Sequence, residues 1–183
     1  MTSTDSRGIA GQRRLLSLGY HDGTTNGLVK FDKSGLAFRY DLVAWDSGEE
    51  WRVFCLSPLA SNDFEVAVQA LSDLGDPKWP CWFPIWEFSS EAKKNDAEAA
   101  VEATLNRCGR YQFAILSRDL CTSILAVATT VADFGDAAEK FSRDRKLQPF
   151  DKWLDLFGAT VLEYLVEPGP SWRSQSKETP ENT

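Results

Sequence analysis

The chain reads as one α+β domain, an antiparallel β-meander packed against helices. About four N-terminal strands and two or three later ones are expected, with about four helices. Three observations predict it. Up to residue 57, short runs alternate apolar with polar residues, the period-2 pattern of half-buried strands. After Pro58 the apolar spacing changes to that of amphipathic helices. Finally, 183 residues, 43% apolar and 26% charged, are enough for one ordinary domain with its own core.

Residues 1–11 are polar and read as a loose arm, 12–167 as the folded domain and 168–183 as a flexible tail. In the first strand Leu16, Leu18 and Tyr20 alternate with Ser17 and Gly19. The stretch from His21 to Gly27 is rich in residues that tolerate turns, with Asn26-Gly27 expected to supply positive φ. Leu28 to Phe31 is the second strand, and a tight turn at residues 32–35 leads to the third. There Phe38, Tyr40 and Leu42 alternate with Arg39 and Asp41. Residues 46–50 make another hairpin, and Trp51 to Ser57 return as the fourth strand. Connections this short join antiparallel neighbours and cannot carry a parallel crossover.

Pro58 is expected to end the sheet. Asn62 and Glu65 have capping-box spacing, and Phe64, Val66, Val68, Leu71 and Leu74 lay an apolar stripe on a helix stopped by Gly75 and Pro77. Residues 79–88 hold Pro80 and Pro84 and read as an extended connector. A second helix runs from Glu91 to Arg107, with Val101, Leu105 and Cys108 on one side and Gly109 as its C-terminal cap. Tyr111 to Leu116 and Thr122 to Thr130 read as strands. Residues 133–145 and 150–157 read as helices, whereas 160–166 fit a strand or a helical continuation. Past Glu167 little apolar surface remains to order the chain, apart from Trp172. Helices grouped on one face of the sheet complete the layout.

Composition excludes several functions. Twenty Lys and Arg against 27 Asp and Glu give a net charge of -7, the wrong sign for a general nucleic-acid or anionic-membrane binder. The longest apolar run, Ile124 to Ala128, is far below the roughly 20 residues a spanning helix needs. The N-terminus lacks the apolar stretch of a secretory signal, so a cytoplasmic location is expected. Cys55, Cys81, Cys108 and Cys121 show no close pair, which argues against a disulfide framework or a structural zinc site. No cofactor or metal is expected, and no phosphate-binding, dinucleotide or serine-hydrolase motif occurs.

His21, the one histidine, stands beside Asp22, and a carboxylate can orient an imidazole for general-base work. Adjacent residues on a strand point to opposite faces, however, so the pair is a weak catalytic candidate. Asp41, Asp46, Glu49 and Glu50 are the densest carboxylates, and Arg39 two positions from Asp41 predicts an ion pair along the strand. The charges of the second helix, Glu98 and Glu102 among them, read as a solvated face.

Trp79, Trp82, Phe83, Trp86 and Phe88 form the most unusual stretch, aromatic rings on a proline-stiffened segment. They suit a ligand pocket or a protein hot spot, and equally a seal over one end of the core. The leading expectation is a non-catalytic cytoplasmic protein working through a protein–protein interface, of immunity, inhibitor, adaptor or regulatory type. Its acidic surface would steer a basic partner. The alternative is a small-molecule binding module with an aromatic-lined pocket, and the third reading is a hydrolase using His21 and Asp22.

Overall fold

A computed structural model of the chain describes residues 13–46, 48, 50–78, 85–118, 120, 126–129 and 161–164. The meander forms as β1 (Arg13–Tyr20), β2 (Thr24–Phe31), β3 (Ala37–Asp46) and β4 (Trp51–Leu59). Helix α1 (Ser61–Leu74) follows, then a small hairpin of β5 (Gly75–Lys78) and β6 (Ile85–Phe88), then α2 (Glu91–Leu105). Strand β7 (Phe113–Ser117) returns to the free edge of β4, and β8 (Ala126–Thr129) and β9 (Val161–Tyr164) extend the sheet. The order is β1-β2-β3-β4-β7-β8-β9, antiparallel throughout.

Period-2 alternation places successive side chains of β1 to β4 on opposite faces, and both faces are apolar. On one, Leu16, Leu28, Ala37 and Leu59 meet Phe64, Ala67 and Leu71 of α1 and Ala97 and Val101 of α2. The other carries a buried aromatic cluster around Phe31, Phe38, Tyr40, Phe54 and Phe113. Its rings meet edge to face at centroid distances of 5.8–6.0 Å, the arrangement their quadrupoles favour. Each fully buried side chain of this size contributes roughly 1.5–3 kcal/mol. Strands β1 to β4 are therefore buried on both faces. They tolerate few unpaired polar groups.

Several boundaries differ from expectation, each for a local reason. Strand β2 begins at Thr24, so the turn shrinks to His21-Asp22-Gly23, with positive φ at Asp22 and Gly23 rather than Gly27. Pro58 does not end the sheet but pairs with Phe38. The β4–β7 register stops at Leu56, so on that side Pro58 faces the segment before β7 rather than a strand, and its missing N–H interrupts no ladder. Helix α1 starts at Ser61 without a side-chain cap, and Glu65 reaches the sheet instead of closing a capping box. Val66 is exposed, because Phe64, Ala67 and Leu71 take the inward stripe.

Helix α2 ends at Leu105 with Asn106 as its C-cap, and the Gly109 N–H donates to the Pro58 carbonyl rather than capping the helix. The end of the supposed connector pairs as β6, opposite the residues expected to be only a helix stop. In a two-stranded ribbon both strands are edges, so Pro77 fits. Two helices are present among the described residues. The helices expected at 133–145 and 150–157 lie outside them, as do the arm at 1–11, the tail at 168–183 and the aromatics Trp79, Trp82 and Phe83.

Helix α1 is tied to the sheet by Glu65. Its carboxylate accepts from Arg14 of β1 and, at 2.7 Å, from Lys30 of β2. Burial alone would raise the Glu65 pKa, but these hydrogen bonds and charges outweigh it and hold it below its ordinary value of about 4.5. A depressed folded-state pKa means that the stabilisation is complete above the unfolded-state value. It is lost as pH falls through the folded one. The Glu65→Gln variant should lower unfolding free energy by about 1 kcal/mol at pH 7, a size limited by solvent screening of a half-exposed group. The difference from wild type should shrink towards pH 3, as measured by urea unfolding at both pH values. An unchanged difference would refute the electrostatic account.

Candidate functional site

The face of the sheet that carries α1 and α2 is not filled at one end. Between the β1–β2 end and α2 lies an open cavity of about 310 Å³, walled by Leu18, Leu71, Trp86, Phe88, Val101 and Leu105, with Ser17, Asn26, Glu98 and Glu102. Trp86 and Phe88 sit two residues apart on β6 and so share a face. Both are half-buried against the α1–α2 layer. Gly75 makes this placement fit: it caps α1, pairs with Phe88, and a Cβ there would lie 2.7 Å from the Phe88 ring. A side chain at position 75 would push Phe88 away from the cavity wall.

A second, more polar cavity of about 770 Å³ adjoins the first at Asn26, Glu102 and Leu105. Its walls add His21, Arg39, Asp41 and Trp45. Asp41 is only 3% exposed and its oxygens are taken. Arg39 donates through Nη2 to Oδ1 at 3.1 Å and brings Nε to 2.8 Å from Oδ2 as an ion pair, and the Tyr111 hydroxyl donates to Oδ2 at 2.9 Å. A guanidinium against both oxygens and a hydroxyl donor supply the partners that a buried carboxylate needs. Burial, the largest single influence, lowers the Arg39 pKa, but the charge and hydrogen bond of Asp41, with smaller help from Tyr111 and Cys108, together outweigh it, so the net shift is upward. Burial first, and Asp41 second, push the Tyr111 phenol well up. Asp41 thus acts as a structural anchor beside the cavity.

His21 and Asp22 are brought together only loosely. Their side chains are 77% and 76% exposed, and Nε2 stands 4.0 Å from the carboxylate, beyond hydrogen-bond range. The turn has a structural explanation. Arg52 donates to the Asp22 carbonyl and lies over the Trp45 ring at 4.7 Å, while Trp45 meets His21 edge to face at 6.4 Å. A Cβ on Gly23, at φ 133°, would lie 2.1 Å from Arg52 Nη1. The clamp therefore requires glycine.

The sequence singles out Trp86 and Phe88, but it reads Asn26 as part of a polar turn, Leu105 as helix core and Glu102 as a solvated face, and these three join the two cavities. One signal was present: Glu98 and Glu102 are like charges one helical turn apart, an arrangement unfavourable for an isolated helix. Among the described residues, no three His, Cys, Asp or Glu side chains converge as a metal site would require. Nor does any described helix have the length and apolarity to cross a membrane.

Cys55 is fully buried on β4 opposite Asp41. Burial, reinforced by that carboxylate, drives its pKa well above the ordinary thiol value. Iodoacetamide at pH 8 should modify Cys55 at least about a hundredfold more slowly than free cysteine in the native protein, and readily in denaturant. Peptide mass mapping reads the outcome, and rapid native labelling would contradict this packing. Compared with protein-family models, curated proteins and solved structures, the chain matches none.

Proposed function

We propose that this protein is a non-catalytic binding module that holds a small organic molecule in the cleft between the β1–β2 end of the sheet and α2. The observation that carries this reading is the aromatic-walled cavity. Its 310 Å³ lies at the lower edge of the roughly 300–1,000 Å³ typical of small-ligand sites. Mostly apolar walls with a few polar groups at one end are the usual composition of such sites. The groups nearest to the cleft that are capable of chemistry support binding over catalysis. Asp41 is surrounded by partners, His21 has no orienting carboxylate within hydrogen-bond range among the described residues, and the Cys55 thiol is sealed. A cytoplasmic setting suits the free thiols of Cys55 and Cys108.

A second reading, capture of a basic protein partner, is favoured by one observation. The exposed face of α2 presents Glu91, Asp96, Glu98 and Glu102, on a chain of net charge -7. Against it, the exposed large hydrophobics among the described residues, Tyr20 and Val66, are single positions rather than a patch. A salt-sensitive complex lost on neutralising these four carboxylates would favour this reading over the first.

The cleft reading predicts that one chemical class in a metabolite thermal-shift screen stabilises the wild-type protein. At a concentration a hundredfold above Kd the gain should be about 2.7 kcal/mol. Leu105→Trp, which fills the cleft from α2, should fold normally by circular dichroism yet lose that response. A gain retained in full by Leu105→Trp would place the ligand elsewhere.

A further inference from the structure

The cleft has an uneven charge. Its apolar part is walled by Trp86 and Phe88, and among the described residues the charged groups that line it are the carboxylates Glu98 and Glu102, with no Lys or Arg. Glu98 has one distant cation, Lys94 Nζ at 4.0 Å on its own helix, where both side chains are largely solvated. Glu102 has no cation within salt-bridge range among the described residues, and it stands where the two cavities meet. The nearest guanidinium in the polar cavity, Arg39, is already neutralised by Asp41.

Two physical consequences follow. The faces of indole and phenyl rings carry negative electrostatic potential and attract cations, most strongly where water is excluded. Two like charges at i and i+4 cost helix stability, and a counter-charge placed between them removes that cost. Both effects favour the same kind of ligand. An anion would meet two carboxylates, and a neutral molecule would leave Glu102 without a counter-charge among the described residues.

We infer that the cleft selects an organic cation, a small molecule bearing an ammonium or comparable cationic nitrogen on an apolar frame. The frame lies against Trp86, Phe88 and Leu71, and the cationic nitrogen lies towards Glu102 and Glu98. This inference rests on the cleft being a ligand site and adds the class of ligand. The cavity's size fits a free small molecule better than a folded partner's surface.

The test titrates the full-length protein with three probes that share a phenethyl frame: phenethylammonium, 2-phenylethanol and 3-phenylpropionate. Isothermal calorimetry supplies affinities, and saturation-transfer NMR covers the millimolar range. The cation should bind at least about fivefold more tightly than the alcohol, with the carboxylate weakest, and its advantage should shrink as salt is raised. Glu102→Gln should weaken the cation about three- to tenfold and leave the alcohol unchanged. Because Glu102 is exposed, this variant should keep the wild-type fold. Equal binding of cation and alcohol, or an undiminished cation in Glu102→Gln, would overturn the charge selection and leave the cleft reading standing. Failure of all three probes to bind would overturn both. A lysine-containing peptide that outbinds phenethylammonium would replace the free small molecule with a protein side chain and overturn the inference in its present form.

Discussion

Burial of both faces of β3 and β4 is the constraint from which most of this structure follows. A strand between two apolar layers has no water on either side for its polar side chains. Asp41, which faces the helical layer near the cleft, therefore has Arg39 and Tyr111 gathered around it as partners. The same constraint seals Cys55 and drives the Phe31–Phe38–Phe113 rings into edge-to-face contact on the opposite face. It also explains why the turn at His21 is clamped. Arg52, only 4% exposed, must bring its guanidinium to an acceptor, and the Asp22 carbonyl supplies one.

The helical layer is held less tightly than the sheet, and the cleft arises from that difference. Helix α1 is secured by Phe64 and Leu71 below and by Glu65 against Arg14 and Lys30 at its side. Arg107 then joins the end of α2 to Asp63 of α1 at 2.7 Å. Helix α2 has only small or short side chains, Ala97, Val101 and Thr104, at its fully buried positions. Small contacts bring it close along one line and leave space on either side of that line. The β5–β6 hairpin closes part of the space with Trp86 and Phe88, and the remainder is the cavity. Glu98 and Glu102 lie along the same stretch of helix, so the geometry that opens the cleft also gives it its charge.

The meander was legible because its turns are short and its apolar residues alternate: Phe38, Tyr40 and Leu42 declare one face without reference to anything distant. Helix boundaries were less legible where a long-range partner competes with a local one. Glu65 has the spacing of a capping residue, but two cations from neighbouring strands outbid the backbone N–H. Pro58 is a sheet breaker only when flanked on both sides, and whether a neighbour is present depends on where β7 stops. Trp86 and Phe88 stood out through composition. Glu102 did not, since an exposed glutamate on a helix carries no mark of which side faces a cavity.

The sequence by itself determined the class of the fold, the four-stranded order of its first half and the negative charge of its surface. These depend on local periodicity, turn chemistry and composition, each written within a few residues. Only the tertiary structure decided that strands β1 to β4 are buried on both faces, that residues 75–78 and 85–88 pair, and that an aromatic end and an acidic rim meet in one cleft. Those features join positions as far apart as Ser17 and Leu105. Their proximity comes from packing of whole elements, to which no local pattern is sensitive.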